Sequence, residues 1–110
     1  MRRVLMGGFS ALHRLGLLEI LRCDGIELVE TTEADVVDRL VEALPDVIVL
    51  DLDQRDVLDL VHRIVHLFPS VMVVACSSTH PLMRVFPPLR YGESYTTDLD
   101  PVLLASVVQK

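Results

Sequence analysis

The chain has 110 residues, which suits one domain, so residues 1–110 are expected to fold as a single unit. Hydrophobic residues make up 51% and mean hydropathy is +0.44, ample for a core. No apolar run approaches the about 20 residues of a membrane span, and a net charge of −6 repels nucleic acid, so neither membrane insertion nor direct nucleic-acid binding is expected.

Arg3 to Met6 reads as a short first strand closed by Gly7-Gly8. From Ser10 to Arg22 the pattern turns helical, with Ser10 as N-cap and Leu12, Leu15, Leu18 and Leu21 expected on one face. Asp24-Gly25 signals a turn before a second strand, Ile26 to Val29. Thr32 can cap the next helix, where Glu33 and Asp35 favour its positive end. Val36, Val37, Leu40, Val41 and Leu44 form its apolar stripe and Pro45 ends it.

Val47-Ile48-Val49-Leu50 is an unbroken, largely β-branched run, the signature of a strand buried on both faces. Asp51 follows at once, at the carboxyl edge where open α/β sheets bind ligands. It is either a site residue or a loop acid that merely stops the strand. Asp53 or Asp56 starts the third helix; Val57, Leu60, Val61, Ile64, Val65 and Phe68 face inward, and Asp59, His62, Arg63 and His66 face water. Val71 to Cys76 is a fourth buried strand, followed by Ser77-Ser78-Thr79. Pro81, Pro87 and Pro88 then limit any fourth helix to about two turns. Ser94 to Thr97 reads as a fifth strand, and Asp100-Pro101 opens a last helix through Gln109. The alternation predicts an α/β fold: a five-stranded parallel sheet with helices on both faces, the fourth helix shortened or irregular.

Cys23 and Cys76 lie far apart and form no C-x-x-C pair, which argues against a disulfide framework or zinc site. The apolar stretch after Arg2-Arg3 is too short for a signal peptide, so a cytoplasmic location is expected. No nucleophile elbow, Walker loop or G-x-G-x-x-G is present, so an enzyme is not expected. His62 and His66 have a spacing that can bind metal, but without further ligands a solvated helix face is the reading preferred.

Pro45 through Leu52, Pro69 through Ser77 and Gly92 through Pro101 together resemble the receiver domain of two-component response regulators, nearest to receivers that precede a helix-turn-helix output domain. The resemblance covers essentially the whole chain. It implies a flavodoxin-like sheet of order 2-1-3-4-5, and implies the N-terminal part of a longer transcription regulator. It places Asp51 on the phosphoacceptor, Ser77 on the hydroxyl that senses the phosphoryl group and Tyr95 on the switch aromatic, with a histidine kinase as the corresponding partner.

The chain departs from that family where the chemistry is done. The acidic pair that holds Mg²⁺ falls on Gly8 and Phe9. The lysine that pairs with the phosphoryl group falls on Thr97 or Asp98, and Lys110 is the only lysine. The family's Pro-Gly loop after the phosphoacceptor is missing, and Asp53-Gln54-Arg55 runs almost directly into the helix, about two residues short. Phosphoryl transfer to a carboxylate needs positioning and charge neutralisation, and Asp51 alone is expected to bind Mg²⁺ weakly, because the ion sheds water reluctantly. The expectation is therefore an atypical, phosphorylation-independent receiver that needs no cofactor. The alternative is a working phosphoreceiver in which Asp53 or Asp56 replaces the missing acids. Gly7-Gly8 could also offer N–H groups to an anion, or simply form a tight turn. Arg84 and Arg90 flank the prolines as candidate anion contacts or plain surface charge.

The last helix is apolar nearly all round. A helix outside a sheet needs one apolar stripe, so Val102, Leu103 and Val107 are expected to form an interface with a second copy or with an output domain of the same chain.

Overall fold

A computed structural model describes residues 2–22, 25–30, 36–88 and 93–109. The helix start expected at Thr32, the turn residue Gly92 and the side chains of Arg90 and Lys110 lie outside the described residues. Ten elements follow one another: β1 (Arg2–Met6), α1 (Ala11–Leu21), β2 (Ile26–Glu30), α2 (Val36–Ala43), β3 (Val47–Asp51), α3 (Val57–Leu67), β4 (Met72–Cys76), β5 (Leu82–Phe86), β6 (Tyr95–Asp98) and α4 (Pro101–Gln109).

The apolar strands form the middle of one sheet, in the order β2-β1-β3-β4-β5-β6. The first four strands of that order are mutually parallel. Alternation along each strand sends side chains to opposite faces. Val4, Met6, Val47, Val49, Val74 and Cys76 meet α1 and α4 in one core; Leu5, Ile48, Leu50, Val73 and Ala75 meet α2 and α3 in another. The fold is thus α/β, a mostly parallel sheet between two helical layers.

The expected five-stranded parallel sheet of order 2-1-3-4-5 is corrected by β5. The segment expected as a shortened helix is a strand, antiparallel to β4 on one side and to β6 on the other. Leu82-Met83-Arg84-Val85-Phe86 alternates: Met83 and Val85 are buried against the α1–α4 core, while Phe86 enters the α2–α3 core. The prolines bar a helix but sit just outside the strand, where no ladder N–H is required. The Ser77 N–H donates to the Leu82 carbonyl and the Leu99 N–H to that of Pro81, closing the connections at this end.

Two apolar stripes also differ from expectation. α1 buries Leu17, Leu18 and Leu21, leaving Leu12 and Leu15 exposed. Three-residue steps fall about 60° short of a full turn each, so Leu12, Leu15, Leu18 and Leu21 wind around the helix instead of sharing a face. Ser10 occupies the N-cap position, but its hydroxyl makes no capping bond. α2 buries Val36 and Leu40 and leaves Val41 exposed; Leu44 is exposed because the helix ends at Ala43 and Leu44 takes a left-handed φ of 46° ahead of Pro45. α3 follows its expected pattern: Val57, Val61 and Ile64 are buried, and Asp59, His62, Arg63 and His66 are exposed.

The amino edge is fastened by two arginines. Arg2 Nε donates to the Val108 carbonyl at 3.2 Å, satisfying the end of α4, and Arg3 reaches the Ala43 carbonyl at the end of α2. The opposite, carboxyl edge is left for other work.

Candidate functional site

Asp51 closes β3 at the carboxyl edge and is half-buried. The register places Cys76 beside it, then Met83, then Thr97, in one row across β4, β5 and β6. All four project on the α1–α4 side. Burial, and then the charge of Asp51, push the Cys76 thiol up to about 12, so it packs as an apolar residue and is no nucleophile.

The inserted strand changes the spacing of this row. With β5 between β4 and β6, Thr97 stands three strand spacings from Asp51, about 14 Å, where the expected sheet allows two, about 10 Å. Asp98 pairs with Leu82 and projects to the opposite side. Tyr95, opposite Val85, lies on the Asp51 side with its ring exposed at the outer strand.

On the β1 side, Gly7 precedes the two positions, Gly8 and Phe9, where the resemblance expects an acidic pair. The Gly7 N–H is spent on the Val49 carbonyl at 2.9 Å, and a Cβ at Gly7 would approach Leu50 to 3.0 Å. A side chain at Gly7 would press on the Leu50 methyl, and this amide is not offered to an anion. Phe9 sits against the α1–α4 core and meets the His13 ring edge-to-face, centroids 4.9 Å apart at 85°. The position at which the resemblance expects a second metal-binding acid thus holds an aromatic packed against the core.

Asp53 has a role that sequence reasoning did not give it. Its backbone N–H donates to Asp51 Oδ1 at 2.9 Å, a local turn that swings its carboxylate towards the loop after β4. That carboxylate accepts from the Ser77 hydroxyl at 3.0 Å, the Ser78 N–H at 2.6 Å, the Ser78 hydroxyl at 3.0 Å and the Thr79 N–H at 3.1 Å. Desolvation opposes ionisation, but these donors outweigh it and bring the Asp53 carboxyl down to about 2. Ser77, itself buried, also accepts from the Thr79 and His80 N–H groups. The hydroxyl expected to sense a phosphoryl group is therefore committed to a clamp joining the β3–α3 and β4–β5 loops.

The clamp makes a measurable contribution. Asp53→Ala is expected to lower unfolding free energy by about 1–2 kcal/mol, a modest figure because the carboxylate is exposed and screened. A depressed carboxyl stabilises the fold above its ordinary pKa of 3.8 and ceases to do so as pH falls to about 2. Urea titrations of both proteins should therefore differ at pH 6 and converge near pH 2.

Asp56 begins α3 with a left-handed φ of 61° and no capping bond. With Leu52, Gln54, Val57, Leu58, Asp59 and Arg84 it lines a groove of about 440 Å³ on the α3 side. Arg84 pairs with Ala75 and lies over the Phe86 ring at 5.0 Å, so it projects from the opposite face to Asp51 and does not stand in for the missing lysine. Asp56 and Asp59 line the same groove. Among the described residues, no three His, Cys, Asp or Glu side chains are placed to hold a metal. A hard divalent cation needs several converging oxygens, and the carboxylate of Asp53, whose N–H bonds Asp51, is engaged by Ser77, Ser78 and Thr79.

In the last helix, Val102 and Leu103 are exposed, whereas Val107 is buried with Leu104 and Val108. Val107 is therefore corrected from an interface residue to a core residue; it lies on the stripe that faces the sheet. No helix among the described residues is long and apolar enough to cross a membrane. No protein-family model, curated protein or solved structure matches the chain.

Proposed function

We propose that the chain is an atypical receiver-like signalling module, cytoplasmic and phosphorylation-independent, that regulates an output domain through its contact surfaces. The observation that carries this reading is the commitment of Ser77 to Asp53 at the edge where Asp51 emerges. A receiver works by coupling a phosphorylated acid to a free hydroxyl and a cation. Here the hydroxyl is tied, the cation position is Thr97 on a strand displaced by one place, and the metal-binding acids are Gly8 and Phe9. Each change weakens the same coupling, while the four parallel strands β2, β1, β3 and β4 keep the order that the resemblance implies.

The competing reading, a phosphoreceiver using Asp53 or Asp56, would need Asp53 to release four donors or Asp56 to reach across from the α3 side. Beryllofluoride with Mg²⁺ imitates a bound phosphoryl group and separates the two readings. Followed by amide NMR, its addition is expected to leave the Asp51, Ser77 and Tyr95 signals unmoved. Saturable shifts at Asp51 and Ser77 would refute the proposal.

A further inference from the structure

The side of the sheet away from Asp51 carries charges without partners. Arg84 projects from β5 on the α3 side and is half-buried, yet no carboxylate among the described residues pairs with it. A guanidinium has five N–H donors, and among the described residues its one hydrogen bond runs to the Ser94 hydroxyl, at a long 3.4 Å. The stack on Phe86, 5.0 Å from the ring centre, helps to hold it in place. An arginine fixed in this way with its fork open suits a carboxylate. The groove of about 440 Å³ that it lines also holds acids. Asp59 makes no ion pair among the described residues, and Asp56 makes only a 4.0 Å one with the exposed Arg55. Neither is paired with Arg84, so charges of both signs share one groove without neutralising each other. Leu52, Val57 and Leu58 give it an apolar lining.

We infer that this groove binds a small zwitterion with an apolar side chain, an α-amino acid. Its carboxylate lies on the Arg84 guanidinium, its ammonium on Asp56 and Asp59, and its side chain against Leu52, Val57 and Leu58. Charge rules out the simpler ligands. An anion that suits Arg84 meets two carboxylates in the same groove, and a cation that suits the acids meets Arg84. A zwitterion satisfies both signs at once. Size agrees: small-molecule sites run to about 300–1,000 Å³ and combine an apolar lining with a few polar groups. The site exists because the segment 82–86 is a strand. Alternation sends Met83 and Val85 into the α1–α4 core and Arg84 to the other side, beside the start of α3. The inference stands apart from the receiver-like reading, since it uses neither Asp51 nor Ser77.

Amide NMR of the full 110-residue chain, titrated in turn with L-valine, L-leucine, L-methionine and L-phenylalanine, tests the inference. At least one is expected to give saturable shifts at Leu52, Gln54, Leu58 and Arg84. For that amino acid, the analogue lacking the ammonium and the analogue lacking the carboxylate are each expected to bind at least about tenfold more weakly, because each forfeits hydrogen bonds to a charged group. Arg84→Ala is expected to weaken binding by a similar factor and to erase the preference for the amino acid over its amine analogue. Asp56→Asn combined with Asp59→Asn is expected to erase the preference over the carboxylic-acid analogue; asparagine tolerates the left-handed φ at position 56. Circular dichroism verifies that the variants remain folded. Leu103→Ala, on α4, is expected to bind as the unaltered chain does. No saturable shift with any of the four, equal binding of both analogues, or binding indifferent to the Arg84 and the acid substitutions would overturn the inference. Silence towards both amino acids and beryllofluoride removes this site and leaves the proposed function standing; a responsive beryllofluoride titration with amino-acid binding intact does the reverse.

Discussion

Treated with acetyl phosphate and Mg²⁺, the chain is expected to gain no acyl phosphate on Asp51 over hours, and Asp51→Asn to behave identically. The magnitude follows from what the edge lacks. A divalent cation contributes several kcal/mol by polarising a phosphoryl oxygen. A preorganised donor on the developing charge contributes about 3–4 kcal/mol more. Losing both slows transfer by on the order of 10⁴-fold or more, since each 1.36 kcal/mol is tenfold. Asp51 has neither: the positions where the resemblance expects the metal-binding acids hold Gly8 and Phe9, and Thr97 is uncharged and about 14 Å away across the inserted strand. Intact-protein mass spectrometry at neutral pH reads the result. A stoichiometric phosphoryl adduct that disappears in Asp51→Asn would mean that the acid finds its cation by a rearrangement, and the clamp at Asp53 would be the part to move.

Which features were legible in the sequence follows from how each is encoded. β3 and β4 are written locally, in Val47 to Leu50 and Val71 to Cys76, because a strand buried on both faces must be apolar throughout. β5 is written in a weaker code. Its alternation of Met83 and Val85 with Arg84 is legible, but it is bracketed by Pro81 and Pro87-Pro88, which pull the reading towards an irregular segment. These prolines exclude a helix interior, but they are equally compatible with strand ends. Leucines at three-residue spacing on α1 misled for a different reason: periodicity of three drifts around a helix, and the residues buried are Leu17, Leu18 and Leu21.

The clamp shows where local reading stops. Asp53 bonding to Ser77, Ser78 and Thr79 joins residues 24 to 26 positions apart. Acids and hydroxyls at strand ends readily bond loop backbone, and the expected neighbouring of the third and fourth strands already brought these two loops to one edge. The individual signals were present. What sequence could not supply was the turn at Asp51, whose Oδ1 accepts the Asp53 N–H and redirects the second carboxylate away from its neighbour. The same turn decides chemistry: it spends the acid that the competing reading needs as a metal ligand.

Met83→Ala is expected to remove about 2–5 kcal/mol of stability, while Arg84→Ala, one residue on, removes less than about 1 kcal/mol. Met83 is fully buried among Cys76, Val85 and the α4 side chains of the first core, so its truncation loses transfer free energy and leaves a cavity. Arg84 projects to the other side, over Phe86 and the open groove beside α3, where its loss forfeits a stacking contact and a 3.4 Å bond to Ser94. Against a total stability of about 5–15 kcal/mol for a domain, the first change is large enough to shift a urea midpoint plainly. The contrast between adjacent residues is the informative part. Period-two sensitivity over Met83, Arg84 and Val85 belongs to a strand with one face on a core. A short irregular helix, the arrangement expected from the prolines, would instead make Met83 and Phe86 the sensitive pair and leave Val85 tolerant. Equal, small effects at Met83 and Val85 would remove β5 from the sheet, and with it the displacement that carries Thr97 out of reach of Asp51.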